Sequence, residues 1–250
     1  MKQLLNKWLK NSQMSNLTHL TKLIFKQNCI TCAQHIENIS PNIHAVCREC
    51  LNDLPWQPDS SCPQCGLASS GMVCGSCINS PPDFDATRAV FLYAYPIDAM
   101  MLRYKYGSML NLGNTFGEFL TEKVNVEDCL KNIDLIIPMP MHPQRLKERG
   151  FNQALEIAKV LTKNCKEKLN YKSVERQTLT PPQASLPLKE RVKNIKGAFK
   201  VNADLGGKRI AIVDDVMTTG ASLNELAKTL KKAGASHVEC WVVARTLPHS

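Results

Sequence analysis

The sequence predicts an α/β fold, a mostly parallel sheet flanked by helices, with a small cysteine-rich module toward its N-terminal end. Three observations predict it. Short β-branched apolar runs alternate with segments whose apolar residues recur every three or four positions, the pattern of strand–helix–strand crossovers. One run, Arg209 to Val213, ends in two adjacent carboxylates, then a Thr218-Thr219-Gly220-Ala221-Ser222 turn and a helical stretch, Leu223 to Leu230. Four Cys-x2-Cys pairs fall within 49 residues: Cys29/Cys32, Cys47/Cys50, Cys62/Cys65 and Cys74/Cys77.

The 250 residues suffice for a sizeable core, and an apolar share of 44% with 21% charged is that of a soluble protein. No apolar run approaches the ~18–20 residues of a membrane span. The first 28 residues lack the compact apolar stretch and cleavage site of a secretory signal, so a cytoplasmic protein is expected. The net charge of +9 is uneven, because residues 176–250 hold twelve basic side chains against six acidic ones. That excess suits a ligand with several phosphates or a nucleic-acid strand. A scattered, solvated basic surface would give the same count.

Within residues 1–28, Leu4, Leu5, Trp8, Leu9, Leu17, Leu20, Leu23 and Ile24 stand at helical spacing among lysines. Packing onto the protein itself is the expectation; a basic amphipathic helix at a membrane surface is the alternative. In the cysteine array each pair presents two thiolates at the spacing zinc needs, and two pairs make one tetrahedral site. Eight ligands imply two structural zinc ions. A disulfide framework fits poorly where no export signal is present. Sequential pairing leaves loops of 14 and 8 residues, but an interleaved arrangement satisfies the spacing equally. Cys129, Cys165 and Cys240 lack the spacing and read as ordinary thiols.

Ser80-Pro81-Pro82-Asp83 reads as a linker, which divides the chain into 1–28, 29–80 and 81–250. A strand is expected over Ala86–Tyr95, a helix over Ile97–Tyr106 ended by Gly107, and another over Leu112–Lys123. Lys105 reads as a surface lysine before a site cation. Asp134–Pro140 is a second buried strand, followed by a cation-rich loop, Met141–Gly150, and a helix over Phe151–Leu161. Arg145 and Arg149 in that loop are guanidinium forks suited to a second anionic group. Residues 176–199 read as a long basic loop, a lid over a charged ligand or a plain surface insertion. The last strand is His237–Ala244.

In open α/β sheets ligands sit beyond the carboxyl ends of the strands. The turn at 218–222 offers hydroxyls, N–H groups, a glycine and a helix N-terminus, which together suit a phosphate. Asp214 and Asp215 would repel that phosphate but would accept from vicinal ribose hydroxyls. The plainer alternative is solvated acids and helix-capping threonines.

Asp214 to Ser222 resembles the phosphoribosyl pyrophosphate (PRPP) loop of type I phosphoribosyltransferases, with Ser222 where threonine is usual. Further stretches sharpen the likeness: Pro138-Met139-Pro140, Arg149-Gly150-Phe151-Asn152-Gln153-Ala154, and Arg176, Thr178, Gln183, Arg191, Asn194 and Gly197-Ala198-Phe199. With the cysteine array, they make nearly the whole chain after residue 28 similar to the competence protein F (ComF) family. Met139 and Met141 stand where valine and leucine are commoner, a conservative departure.

The resemblance implies a type I phosphoribosyltransferase-like domain behind a double zinc ribbon. PRPP would be held by Asp214, Asp215, Thr218, Thr219, Gly220, Ala221 and Ser222, with Mg2+ as its partner. Arg145 and Arg149 would face the pyrophosphate, and Arg176, Gln183 and Arg191 would belong to the lid. It further implies a cytoplasmic protein of natural competence that handles incoming single-stranded DNA, alongside DNA-uptake proteins at the inner face of the membrane. The alternative is a phosphoribosyltransferase that releases pyrophosphate from PRPP onto a nucleobase or amine. A third reading, a zinc-ribbon interaction protein with a vestigial site, conflicts with the intact acids and hydroxyls. No residue stands out as acid or base toward an acceptor, no hood names a nucleobase, and aromatics at 6% offer few stacking platforms.

Overall fold

The runs Ile210–Val213 and Val238–Ala244 are buried residue after residue, so the sheet they form is covered on both faces. The computed structural model describes residues 28–36, 45–107, 109–124, 131–179 and 194–247. The amphipathic segment expected at 1–28 therefore lies, but for Asn28, outside the described residues. Two compact units form, Met1–Asp53 and Leu54–Ser250.

In the first unit Cys47 ends the extended chain and a short helix, α1 (Arg48–Asn52), follows. The second unit opens with a turn-rich segment and α2 (Gly75–Asn79). It continues through β1 (Ala86–Leu92), α3 (Ile97–Tyr106), α4 (Asn111–Lys123), β2 (Leu135–Pro138), α5 (Pro143–Arg149) and α6 (Gln153–Leu161). Then come β3 (Val174–Arg176), β4 (Phe199–Val201), β5 (Arg209–Met217), α7 (Ala221–Lys232) and β6 (His237–Arg245). The sheet order is β1-β6-β5-β2, every pair parallel, with Ile212 opposite both Ile137 and Cys240. The short strands β3 and β4 form a separate antiparallel pair.

Leu223, Leu226, Ala227 and Leu230 recur along α7 at helical spacing and meet Ile210, Ile212, Val238, Cys240 and Val242 in one core. The helices α4 and α6 pack on each other and on the sheet through its four strands, covering the other face. They approach closely at Gly117, where an added Cβ would lie 2.5 Å from Val160 Cβ. Gly117→Ala is therefore expected to destabilise the protein by about 1–3 kcal/mol, although alanine is the better helix former. Urea unfolding of the two proteins measures this directly; an unchanged or raised midpoint contradicts it.

Two expectations need correcting. The cation-rich segment 141–150 is largely a helix, α5, because Pro143 sits at its first turn and His142 caps it, Nδ1 accepting from Gln144 N–H at 3.2 Å. Strand β5 does not stop at the acids but runs through them to Met217, since β6 continues pairing alongside as far as Arg245. Among the described residues no helix is long and apolar enough to cross a membrane.

Candidate functional site

The carboxyl ends of β2 and β5 open onto a cleft of about 310 Å³. Of the residues singled out from sequence, Asp214, Asp215, Thr218, Ser222, Arg145, Arg149 and Arg176 all line it. A smaller recess of about 60 Å³ lies over the start of α7, bounded by Asp214, Thr218, Gly220, Ala221 and Ser222. Gly220 caps α7 at φ 80°, the left-handed conformation that favours glycine, and Thr219 Oγ1 accepts from Ala221 N–H at 3.3 Å. Gln183 and Arg191 lie outside the described residues.

The acidic pair is not freely solvated: Asp215 is buried and Asp214 half-buried. Asp214 accepts from Asp215 N–H at 2.9 Å, and Asp215 accepts from Val216 N–H at 2.6 Å and pairs with Lys105 Nζ at 2.9 Å. Lys105 thus belongs to the cleft, contrary to its reading as a surface lysine. Burial lowers the tendency of its ammonium to hold a proton, but Asp215 and then Asp214 outweigh that and leave it above the usual range. Burial, with the charge of Asp215 beside it, pushes Asp214 up to about 7. One cation therefore faces two carboxyl groups, one of which readily keeps its proton at neutral pH.

The cleft lining is also basic. The Arg149 guanidinium lies 5.2 Å from the centre of the Tyr106 ring, and that of Arg176 lies 5.7 Å from the Phe199 ring. Burial, then the nearby Arg145, lowers Arg176 from its ordinary value, a sign of clustered positive charge. Asn152 caps α6 by accepting from Leu155 N–H and donates to Met139 O at 3.1 Å, which pins the loop leaving β2. Gln153 lines the cleft at 2% exposure, its Nε2 without a hydrogen-bond partner among the described residues. Sequence reasoning held Lys105 only as the less favoured site cation and gave Gln153 no lining role. Lys105 had one signal, a lysine between two tyrosines in the last turn of α3.

Each half of the cysteine array forms its own cluster: Cys29, Cys32, Cys47 and Cys50, and Cys62, Cys65, Cys74 and Cys77. Pairing is sequential. Sulfur atoms within each set lie within 4.8 Å of one another, with Cys32 to Cys47 at 3.7 Å and Cys65 to Cys74 at 3.6 Å. A zinc–sulfur bond of ~2.3 Å in a tetrahedron implies a sulfur–sulfur edge of ~3.8 Å. The donor sets therefore fit zinc. Backbone N–H groups of Cys47 and Cys74 donate to Cys29 Sγ and Cys62 Sγ, each at 3.3 Å. Burial raises the Cys29 thiol, but N–H donors from Cys32, Cys47 and Thr31 outweigh it and bring it to about 6.

A phosphoribosyl transferase domain family matches residues 146–247, which span α6, β5 with its turn, α7 and β6. DNA utilization protein YhgH of Escherichia coli (strain K12) is 31% identical over 191 residues, 74% of this chain and 84% of that protein. The chain belongs to the ComF/YhgH family. Competence protein F of Haemophilus influenzae is 29% identical over 231 residues, 88% of this chain and 98% of its own. Competence protein ComFC of Streptococcus pneumoniae is 24% identical over 80% of this chain and 87% of its own. This ComF/YhgH family member thus joins a phosphoribosyltransferase-like α/β domain to two four-cysteine clusters.

Proposed function

We propose that the cleft binds PRPP with Mg2+, in a cytoplasmic protein that handles incoming single-stranded DNA during natural competence. The observation that supports the ligand is one cleft lined both by Asp214, Asp215, Thr218 and Ser222 and by Arg145, Arg149 and Arg176. Ribose hydroxyls donate to the two carboxylates, displacing Lys105 or sharing Asp215 with it. The 5-phosphate takes N–H groups and hydroxyls of Thr218, Thr219, Gly220, Ala221 and Ser222, where the α7 dipole adds about half a positive charge. Arg145 and Arg149 fork onto the pyrophosphate, and the sequence adds Gln183 and Arg191 to Arg176 on the lid. The carboxylate oxygens are hard donors that suit Mg2+, which would neutralise part of the pyrophosphate charge when bound with it. In this reading 29–80 is a metal-held ribbon pair, 81–250 carries the ligand, and 1–28 is an amphipathic segment. DNA-uptake proteins at the inner face of the membrane are the partners.

Relatives named for DNA utilization and competence support the DNA role. So does Tyr106, 71% exposed at the cleft with Arg149 against its ring, a face on which a base can stack. One observation favours transferase chemistry as the second reading. An adjoining recess of about 440 Å³, lined by Phe151, Leu155 and Tyr171, shares Pro140, Met141, Asn152 and Arg176 with the cleft. It has room for an acceptor, which the protein would position while basic groups neutralise the leaving pyrophosphate.

The test uses the zinc-loaded full chain with Mg2+. Calorimetry is expected to register PRPP binding that the double variant Asp214→Asn/Asp215→Asn loses; no binding by the unaltered protein overturns the reading. Pyrophosphate release is then measured across nucleobases, amines and single-stranded DNA. Release that needs one acceptor and fails in the double variant would establish the transferase. Anisotropy of labelled single-stranded DNA checks the DNA role, which requires binding that weakens with salt.

A further inference from the structure

At the end of β6 a cation is buried where the fold offers it no carboxylate. Arg245 is 4% exposed, and among the described residues no acidic side chain pairs with it. Among the described residues its guanidinium donates to backbone carbonyls alone, and these belong to two distinct places. Nε donates to Cys65 O at 2.9 Å, inside the second four-cysteine cluster. Nη1 donates to Met217 O at 3.0 Å, to Thr218 O, and to Thr246 O at 3.0 Å. Met217 and Thr218 begin the turn that leads into α7. One planar group therefore clamps a metal-ligand residue and the phosphate turn at once.

Other contacts hold the ribbon and the turn in the same relation. Thr87 Oγ1 donates to Gln64 O at 2.6 Å, and Gln64 Nε2 reaches Phe84 O at 3.4 Å. An added Cβ on Gly220 would lie 3.9 Å from Phe84 Cζ. Gly66, at φ 71°, lets the chain turn after Cys65, with Thr87 and the Arg245 stem beside it.

A buried cation is costly unless opposite charge lies near it. Four thiolates around one divalent metal carry a net charge of minus two, and the Cys65 residue of that set touches the Arg245 guanidinium. Metal binding supplies folding free energy to such a cluster, so the placement of the Cys65 carbonyl that Arg245 holds depends on the metal. We infer that Arg245 is a positioning residue that couples metal occupancy of the Cys62/Cys65/Cys74/Cys77 cluster to ligand occupancy of the 218–222 turn. The metal-loaded ribbon holds the guanidinium in place, and the guanidinium holds the carbonyls of 217 and 218 so that the N–H groups after them face the recess. Metal loss or thiol oxidation at this ribbon then weakens the ribose-phosphate site without touching a residue that lines it. The inference rests on the ligand reading proposed above.

Coupling between sites is reciprocal, so a phosphate ligand must raise the metal affinity of this cluster. Full-length zinc-loaded protein is equilibrated with graded chelator, with and without saturating ribose 5-phosphate. Alkylation of freed cysteines and peptide mass mapping then assign zinc loss to one cluster or the other. Ribose 5-phosphate is expected to raise zinc affinity at Cys62–Cys77 by about fivefold or more, the low end for linked sites, and to leave Cys29–Cys50 unchanged. Arg245→Gln is expected to abolish this protection and weaken ribose 5-phosphate binding by a similar factor, with partial return in Arg245→Lys. Should the variants fail to fold, the comparison within the unaltered protein still decides. Binding by calorimetry with no protection, or with equal protection of both clusters, overturns the inference alone. Absence of ribose 5-phosphate binding overturns the ligand reading and the inference with it.

Discussion

Asp214→Asn is expected to stabilise the unliganded protein at pH 8 while weakening its hold on ribose phosphates roughly 10- to 100-fold, the loss of a charged hydrogen bond or two. Burial, reinforced by Asp215, lifts Asp214 to about 7 in the folded chain, against ~3.9 when unfolded. A carboxyl whose folded value is raised favours folding fully below pH ~4, and that favour is lost as pH climbs to 7. Above pH 7 the charged group costs on the order of 2–4 kcal/mol, allowing for its partial exposure and for Lys105 nearby. Asparagine carries no charge to desolvate. The gap in urea midpoint between variant and parent should therefore widen from pH 5 to pH 8. A gap that stays flat or narrows would show that Asp214 is charged without penalty. On the ligand reading proposed above, ribose hydroxyls that donate to the carboxylate would offset this cost.

Cys47→Ser should leave one zinc per chain in place of two and unfold the ribbon at 28–53 while the 54–247 unit keeps its melting transition. In the first unit the described buried apolar side chains are few, chiefly Ile36 and Val46 beside Cys29 and Cys47. So small an apolar core cannot order two turns and a five-residue helix; metal binding of ~10 kcal/mol or more can. Limited proteolysis with zinc counted by mass spectrometry reads both effects. Protease resistance of 28–53 in the one-zinc variant would mean that the segment folds without its metal.

Features that depend on neighbours in sequence were legible. Cysteine pairs with two residues between them, the acids followed by Thr-Thr-Gly, and the helical spacing of Leu223, Leu226 and Leu230 each declare themselves within a dozen residues. What escaped is formed by residues far apart. Lys105 meets Asp215 across 110 positions, and its flanking tyrosines are the one local feature that sets it apart from a solvated lysine in a helix's last turn. Arg245 ends an apolar strand in the manner of many surface arginines; only the register that sets it beside Met217 makes it a clamp. Strands β3 and β4 are three residues each, too short to show an alternation. Segment 143–149 has a single large apolar residue, Leu146, so its helix rests on Pro143 and the His142 cap and shows no apolar face.

The sheet order carries one more implication, for how the protein comes to be folded. In that sheet β1 pairs with β6 alone, so the first strand to leave the ribosome waits for the last. Ala89 and its partner Val242 are 153 positions apart, a closure that slows folding and leaves β1 exposed during synthesis. The segment just before it supplies a shield, since Gln57 N–H donates to Val90 O and Leu92 N–H to Pro55 O along that strand's free edge. A nascent chain can thus dress one side of β1 from its own preceding residues, and the other side stays open to a chaperone until β6 emerges.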